Sequence, residues 1–266
     1  MAAGISVTII TRNEEEGIQK CLESVAWAQE IVIVDAESTD RTVDIAQKFT
    51  ARVFVRPWAG FAAQKNFALA QATQPWVLSL DADERVTPQL RGQIEAILAA
   101  DGPLDGYYLP RKNFFRGRWI RHGTWFPDYQ LRLFRHSLGS FRSVSVHESV
   151  QVNGRLGYLE APLLHFSYRG IEDFVRRSNL YSTLAAQDLV RQGKRISWLQ
   201  LFLAPLGRFC SMYFLYRGFL DGSDGLLLAV LYSYYVFLRS AKVWEMGQRN
   251  QMSTAERLEH GSRLGT

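Results

Sequence analysis

Four short apolar runs, separated by helix-like segments, constrain the first hundred residues more than any other feature. ISVTII (5–10), EIVIVDA (30–36), RVFV (52–55) and WVLSLDA (76–82) read as buried strands. Between them lie segments of helical character. The first places Ile18, Cys21, Leu22 and Val25 on one face; STDRTVDIAQKF (38–49) opens on residues suited to an N-cap. GFAAQKNFALAQA (60–72) is rich in alanine, and PQLRGQIEAILAA (88–100) carries proline in its first turn. Strands alternating with helices predict a mostly parallel, Rossmann-like α/β sheet flanked by helices. Ligands of such sheets bind at the carboxyl ends of the strands.

Those ends are acidic. The first strand runs into Thr11, Asn13 and Glu14, the second ends at Asp35, and the fourth at Asp81 and Asp83. Crowded carboxylates raise each other's pKa unless a cation joins them. A hard divalent ion takes oxygen ligands and bridges carboxylates to substrate phosphates. The cluster therefore points to Mg²⁺ or Mn²⁺ with a diphosphate ligand. Each acid also has a plainer reading: Glu14 as a first-turn helix acid, Asp40 as an N-cap, Asp81-Ala82-Asp83 as a surface turn, and Glu84 as a solvated acid. A phosphatase nucleophile loop is disfavoured by Arg85, and a calcium loop by Val86, where it needs glycine. Neither a Walker pattern nor G-x-G-x-x-G is present.

Beyond residue 103 the pattern changes. GYYLPRKNFF (106–115), YQLRLFR (129–135) and SVQVNGRLGYL (149–159) read as strands joined by turns. Residues 111–142 hold eight Arg or Lys against Asp128 alone, interleaved with Trp119, Trp125, Phe126 and Tyr129. Arginine pairs with phosphate and aromatic faces stack on sugar rings, so a phosphorylated saccharide suits this mixture. No nucleic-acid-binding motif accompanies it. From Gly170 the chain reads helical. The resulting division is a catalytic domain over 1–168 (1–100 for the donor, 101–168 for the acceptor), a helical region over 169–250 and a polar tail over 251–266. Two distant cysteines and an N-terminus without a basic leader predict a cytosolic setting. The run at 225–238 is shorter than a bilayer span.

VTIITRNEEEGIQKCLES, EIVIVDAESTDRT, GFAAQKNFAL and WVLSLDADERV resemble, in order and spacing, the motifs of family 2 glycosyltransferases with the GT-A fold. GTWFPDYQLRLFR and VHESV resemble a bacterial branch that builds the lipopolysaccharide core, including β-1,4-glucosyltransferases. One departure is Glu37, where the family commonly has glycine after the strand-two acid. The resemblance implies an inverting, metal-dependent transfer from a UDP-sugar, UDP-glucose foremost, to a saccharide or lipid-linked saccharide such as the inner core. By the same resemblance Thr11, Asn13 and Glu14 line the nucleotide pocket, Asp35 meets a uracil-type base, and Lys65 faces the donor. Asp81 contacts ribose or metal, and Asp83 is the principal metal ligand. The base that takes the acceptor proton is Glu148 or Asp128, with Glu148 favoured. Gln130, Arg132, His147 and Trp125 are assigned to the acceptor or diphosphate. A sugar nucleotidyltransferase would open on a glycine-rich loop that TRNEEEG lacks, and a non-catalytic relative would be expected to lose the metal acids. Arginines beside WLQLFLAPLGRFCSMYFLYRGFL (198–220) predict peripheral docking on the cytoplasmic face of the inner membrane; contact with a second subunit would use the same residues.

Overall fold

The apolar runs fold as their composition dictates in the computed structural model of the chain, which describes residues 3–100, 102–142, 149–168 and 170–263. Strands β1 (Ile5–Thr11), β2 (Glu30–Asp35), β3 (Val53–Val55) and β4 (Trp76–Asp81) pair in parallel in the order β3-β2-β1-β4. Their runs are apolar without alternation because helices cover both faces. On one face α1 (Ile18–Val25) and α4 (Pro88–Ala100) bury Ile18, Leu22, Leu90 and Ile94 against Ile5, Ile9 and Leu78. On the other, α3 (Phe61–Gln71) packs Ala62 and Leu69 against Val77 and Phe134. The expected helix over 38–49 shortens to α2 (Thr42–Ala46), because Asp40 closes a turn on the Thr42 backbone and hydroxyl.

The sheet then changes direction. After β4 come a short strand β5 (Glu84–Val86), β6 (Gly106–Phe115), β7 (Arg118–Trp119), β8 (Asp128–Arg135), β9 (Gly139–Arg142), β10 (Ser149–Val152), β11 (Leu156–Tyr158) and β12 (Leu163–Tyr168). β8 adds antiparallel to β4 and β6 antiparallel to β8, and the sheet continues through β12 to β5. Register positions the chemistry: Thr11 stands opposite Asp35 and Ile10 opposite Asp81, so the acidic ends share one rim. Arg111 pairs with Asp128, and His165 with Glu84. The whole is an α/β fold with a mixed sheet, its parallel half flanked by helices.

Residues 1–121 with 125–167 form one compact unit, and 122–124 with 168–266 a second. The second consists of α5 (Ile171–Arg191), α6 (Trp198–Cys210), a π turn over Ser211–Leu215, a 3₁₀ turn over Gly218–Asp221, and α7 (Gly222–Arg263). Helix α7 runs unbroken through 251–263, where a polar tail was expected. It also prolongs the apolar run, so that Gly218–Gln248 is long and apolar enough, by length and composition, to cross a membrane. Lys242 on α7 ties to α5 by donating to Asn179 Oδ1, Ser182 Oγ and Thr183 Oγ1 at 2.7–2.8 Å. Asp221 accepts from the His122 backbone N–H at 2.8 Å.

Candidate active site

The loops after β1 and β2 are stapled together at the rim. Thr11 Oγ1 donates to Asp35 Oδ2 at 2.7 Å, and the Ser38 backbone N–H donates to Asp35 Oδ1 at 2.7 Å. The Asn13 backbone N–H donates to Ser38 Oγ, the Thr39 N–H to Asn13 Oδ1, and the Glu14 N–H to Thr42 Oγ1. Asn13 and Glu37 both sit at φ +55°. Asparagine tolerates that left-handed conformation; glutamate does so at a cost of roughly 1–2 kcal/mol. Glycine at this position would adopt the conformation without that cost. Asp35 is wholly buried and its carboxylate is engaged by its own loops.

Behind the rim runs a chain of alternating charges. Lys65 Nζ lies 2.9 Å from Asp81 Oδ1, and Arg132 donates to Asp81 Oδ2 and, at 2.7 Å, to Glu84 Oε1. Arg111 reaches Glu84 Oε1 at 3.2 Å and Asp128 Oδ2 at 2.6 Å. Glu84 Oε2 also accepts the Asp81 backbone N–H at 2.9 Å. Burial would raise the Asp81 pKa, but Arg132 and Lys65 outweigh it and hold the carboxyl well below its ordinary range. Burial would likewise lower the Arg132 pKa, and Asp81 with Glu84 raises it instead.

This geometry corrects several expectations. Glu84 is not a solvated acid: its side chain is 0% exposed and it joins two arginines. Arg132 is buried against internal carboxylates rather than presented to a phosphate, and Arg111 is spent in the same way, so the basic stretch is less of a surface patch than its composition implied. Trp125 is buried edge-on to Phe115, which removes its ring from acceptor stacking. Gln130 donates to Asp128 Oδ1 at 2.8 Å. With Arg111 and Asn113 on the other oxygen, Asp128 is saturated. Burial would raise its pKa, but Arg111 and these hydrogen bonds hold it below the ordinary value. A carboxylate so held is a weak proton acceptor. His147 and Glu148 lie outside the described residues.

Two participants were not foreseen from sequence: His165 and Asn113. His165 Nε2 lies 3.5 Å from Asp83 Oδ1, a buried oxygen that accepts no hydrogen bond. On the ring's other side, Nδ1 is 2.6 Å from Asn113 Oδ1 and 2.9 Å from Ser167 Oγ. Asn113 Nδ2 donates to the Trp125 carbonyl at 2.8 Å, so its Oδ1 is the atom turned to the histidine. That network places the proton on Nδ1 and leaves Nε2 to face Asp83. A proton on Nε2 or a bound cation satisfies the pair; the carboxylate suits Mg²⁺ or Mn²⁺, and the imidazole beside it favours Mn²⁺ of the two. Among the described residues no group of three or more His, Cys, Asp or Glu is gathered. Asp81, with both oxygens in ion pairs, is less available than Asp83.

A parallel half-sheet flanked by helices and continued by antiparallel strands is a GT-A-like α/β layout. The profile of glycosyl transferase family 2 matches residues 6–149. The chain belongs to that family and is a glycosyltransferase. It is 35% identical over 248 residues to the lipopolysaccharide core biosynthesis glycosyltransferase LpsC of Rhizobium meliloti, covering 91% of this chain and 92% of LpsC. It is 34% identical over 261 residues to an uncharacterized glycosyltransferase of Rickettsia typhi, covering 93% and 89%. Among solved structures, the mannosyltransferase PcManGT of Pyrobaculum calidifontis, in complex with GDP-mannose and Mn²⁺, aligns with a TM-score of 0.50 at 16% identity, over 91% of this chain and 87% of that one. That alignment speaks to the fold alone.

Proposed function

We propose that this glycosyltransferase moves glucose from UDP-glucose to a saccharide of the lipopolysaccharide inner core, with inversion and with Mg²⁺ or Mn²⁺ bound. The observation that carries the metal reading is the Asp83–His165 pair, a buried carboxylate oxygen without a hydrogen bond facing an imidazole nitrogen. The likeness to LpsC over nearly the whole chain supports the acceptor class.

Asp83 and His165 would hold the ion, which balances the diphosphate charge that grows as the glycosidic bond breaks. Thr11, Asn13 and Glu14 line the nucleotide pocket on the stapled loops, while Lys65 and Asp81 fix the charge beside it. Asn113 keeps the His165 ring in one tautomer. Glu148 takes the proton of the attacking hydroxyl, because Asp128 is too well neutralised to serve. Asp128 instead clamps Arg111 and Gln130 on the acceptor side.

Nucleotide sugars are to be screened for protection against thermal unfolding, with and without Mn²⁺. UDP-glucose is expected to raise the melting temperature only with metal, and Asp83→Ala to lose that effect. Equal protection without metal sinks the metal role, and preference for another nucleotide sugar sinks the donor assignment. Glu148→Gln is expected to bind donor without transfer; if Asp128→Asn behaves so instead, the base assignment is overturned.

A further inference from the structure

Helix α6 exposes a continuous apolar side. Leu199, Phe202, Leu203, Leu206 and Cys210 recur at helical spacing on its outward side and are all exposed, Phe202 by 61%. The half-buried side carries Leu201, Pro205, Arg208 and Phe209. Among the described residues α6 buries no side chain. Its start is fixed by a capping box between Ser197 and Gln200 rather than by a core. The apolar surface continues past the helix, with Leu215 72% exposed, and Trp198 at the N-terminal end is 69% exposed. Soluble monomers seldom leave so continuous an apolar strip in water.

The charges around it are mostly positive, with Asp188 pairing to Arg191 at 3.1 Å. Residues 189–220 contain Arg191, Lys194, Arg195, Arg208 and Arg217 and no Asp or Glu. A two-fold pairing of this face with itself would bring cations against cations, with no acid on the segment to answer them. An apolar strip flanked by the exposed cations Lys194, Arg195 and Arg217 matches a leaflet of anionic lipid, where the strip sits at the acyl boundary and the cations meet the headgroups.

We infer that α6 and the segment following it to Leu220 dock this enzyme on an anionic lipid surface. The inference does not depend on the donor or acceptor assignment. Because α6 keeps its apolar strip outward at helical spacing, it lies along the surface rather than through it.

The test is sedimentation of the full chain with phosphatidylcholine vesicles, with and without phosphatidylglycerol. Cys210, exposed, is labelled with an environment-sensitive fluorophore, while Cys21 is buried and spared. The protein is expected to pellet only with the anionic vesicles at low salt, with a blue shift of the label. Phe202→Glu with Leu206→Glu is expected to weaken binding by about tenfold or more, and Lys194→Glu with Arg195→Glu to remove the dependence on anionic lipid. Both pairs are exposed, so unchanged circular dichroism melting serves as the folding control. The inference is overturned if the wild-type protein ignores anionic vesicles or if the apolar double variant binds them as well as wild type does. It is also overturned if those substitutions split a dimer without changing vesicle binding. Retention of the wild-type protein on vesicles through an alkaline carbonate wash would indicate a spanning segment and overturn surface docking.

Discussion

Replacing Glu84 by alanine measures whether the buried charge chain holds the two halves of the sheet together. The substitution removes three interactions at once: Arg132 at 2.7 Å, Arg111 at 3.2 Å and the Asp81 backbone N–H at 2.9 Å. Breaking a buried ion pair by deleting one partner costs about 3–5 kcal/mol, because the remaining charge is left uncompensated. Here Asp81 still faces Arg132 and Asp128 still faces Arg111, which puts the expected loss near the lower end, about 3 kcal/mol. Glu84→Gln keeps the volume and an acceptor and is expected to cost about 1.5–3 kcal/mol, the range for a hydrogen bond to a charged group. Urea unfolding reads both. With a slope of about 2 kcal/mol per molar, the alanine variant shifts the midpoint down by roughly 1.5 M at unchanged slope. A solvated acid would change stability by no more than about 0.5 kcal/mol. A midpoint shift of that small size for Glu84→Ala refutes the reasoning.

Three further outcomes follow from the same geometry. Asp81 and Asp128 have depressed folded-state pKa values, so the stability they contribute is present above the unfolded aspartate value near 3.9 and is lost as pH falls through the folded values. Asp128→Asn is therefore expected to flatten the acid limb of stability against pH below about 4; an unchanged limb removes Asp128 from that role. Glu37→Gly relieves a left-handed φ of +55° and is expected to stabilise by about 0.5–1 kcal/mol after the added chain entropy of glycine, readable as a rise in melting temperature. Asn113→Ala frees the His165 ring and is expected to weaken Mn²⁺ binding, followed by electron paramagnetic resonance, by about 10–100-fold; unchanged affinity would show that the tautomer is set elsewhere.

The parallel half of the sheet was legible because its strands are apolar on both faces and end abruptly in acids. Helix α4 and strand β6 fall on 88–100 and 106–115, as the pattern predicted. The short strands β5, β7 and β9 carry too few residues to show a period. Glu84 was misread for a physical reason: an acid next to Arg85 at a turn looks solvated, and only pairing with strands some 27 and 48 residues further on brings Arg111 and Arg132 to it. The same limit hid His165, whose neighbour Asp83 is brought near by strand pairing and not by sequence. Arg111 and Arg132, read as part of a stretch suited to a phosphorylated saccharide, proved to be partners of internal acids, and composition alone carries no sign of that difference.

The pairing of β5 with β12 acts as a length gauge for the chain. His165 stands beside the acidic motif because Leu163, Leu164 and His165 lie opposite Val86, Arg85 and Glu84. Side chains on a strand alternate faces, so one residue inserted or removed just before Leu163 would present the neighbouring side chain in its place. Point substitution of the histidine removes one side chain from beside Asp83; a one-residue slip removes it and turns the apolar partners of the strand outward as well. Insertions in the exposed turn between β6 and β7 leave that register untouched. That turn can thus vary in length at little cost to the acidic rim, while the approach to Leu163 cannot.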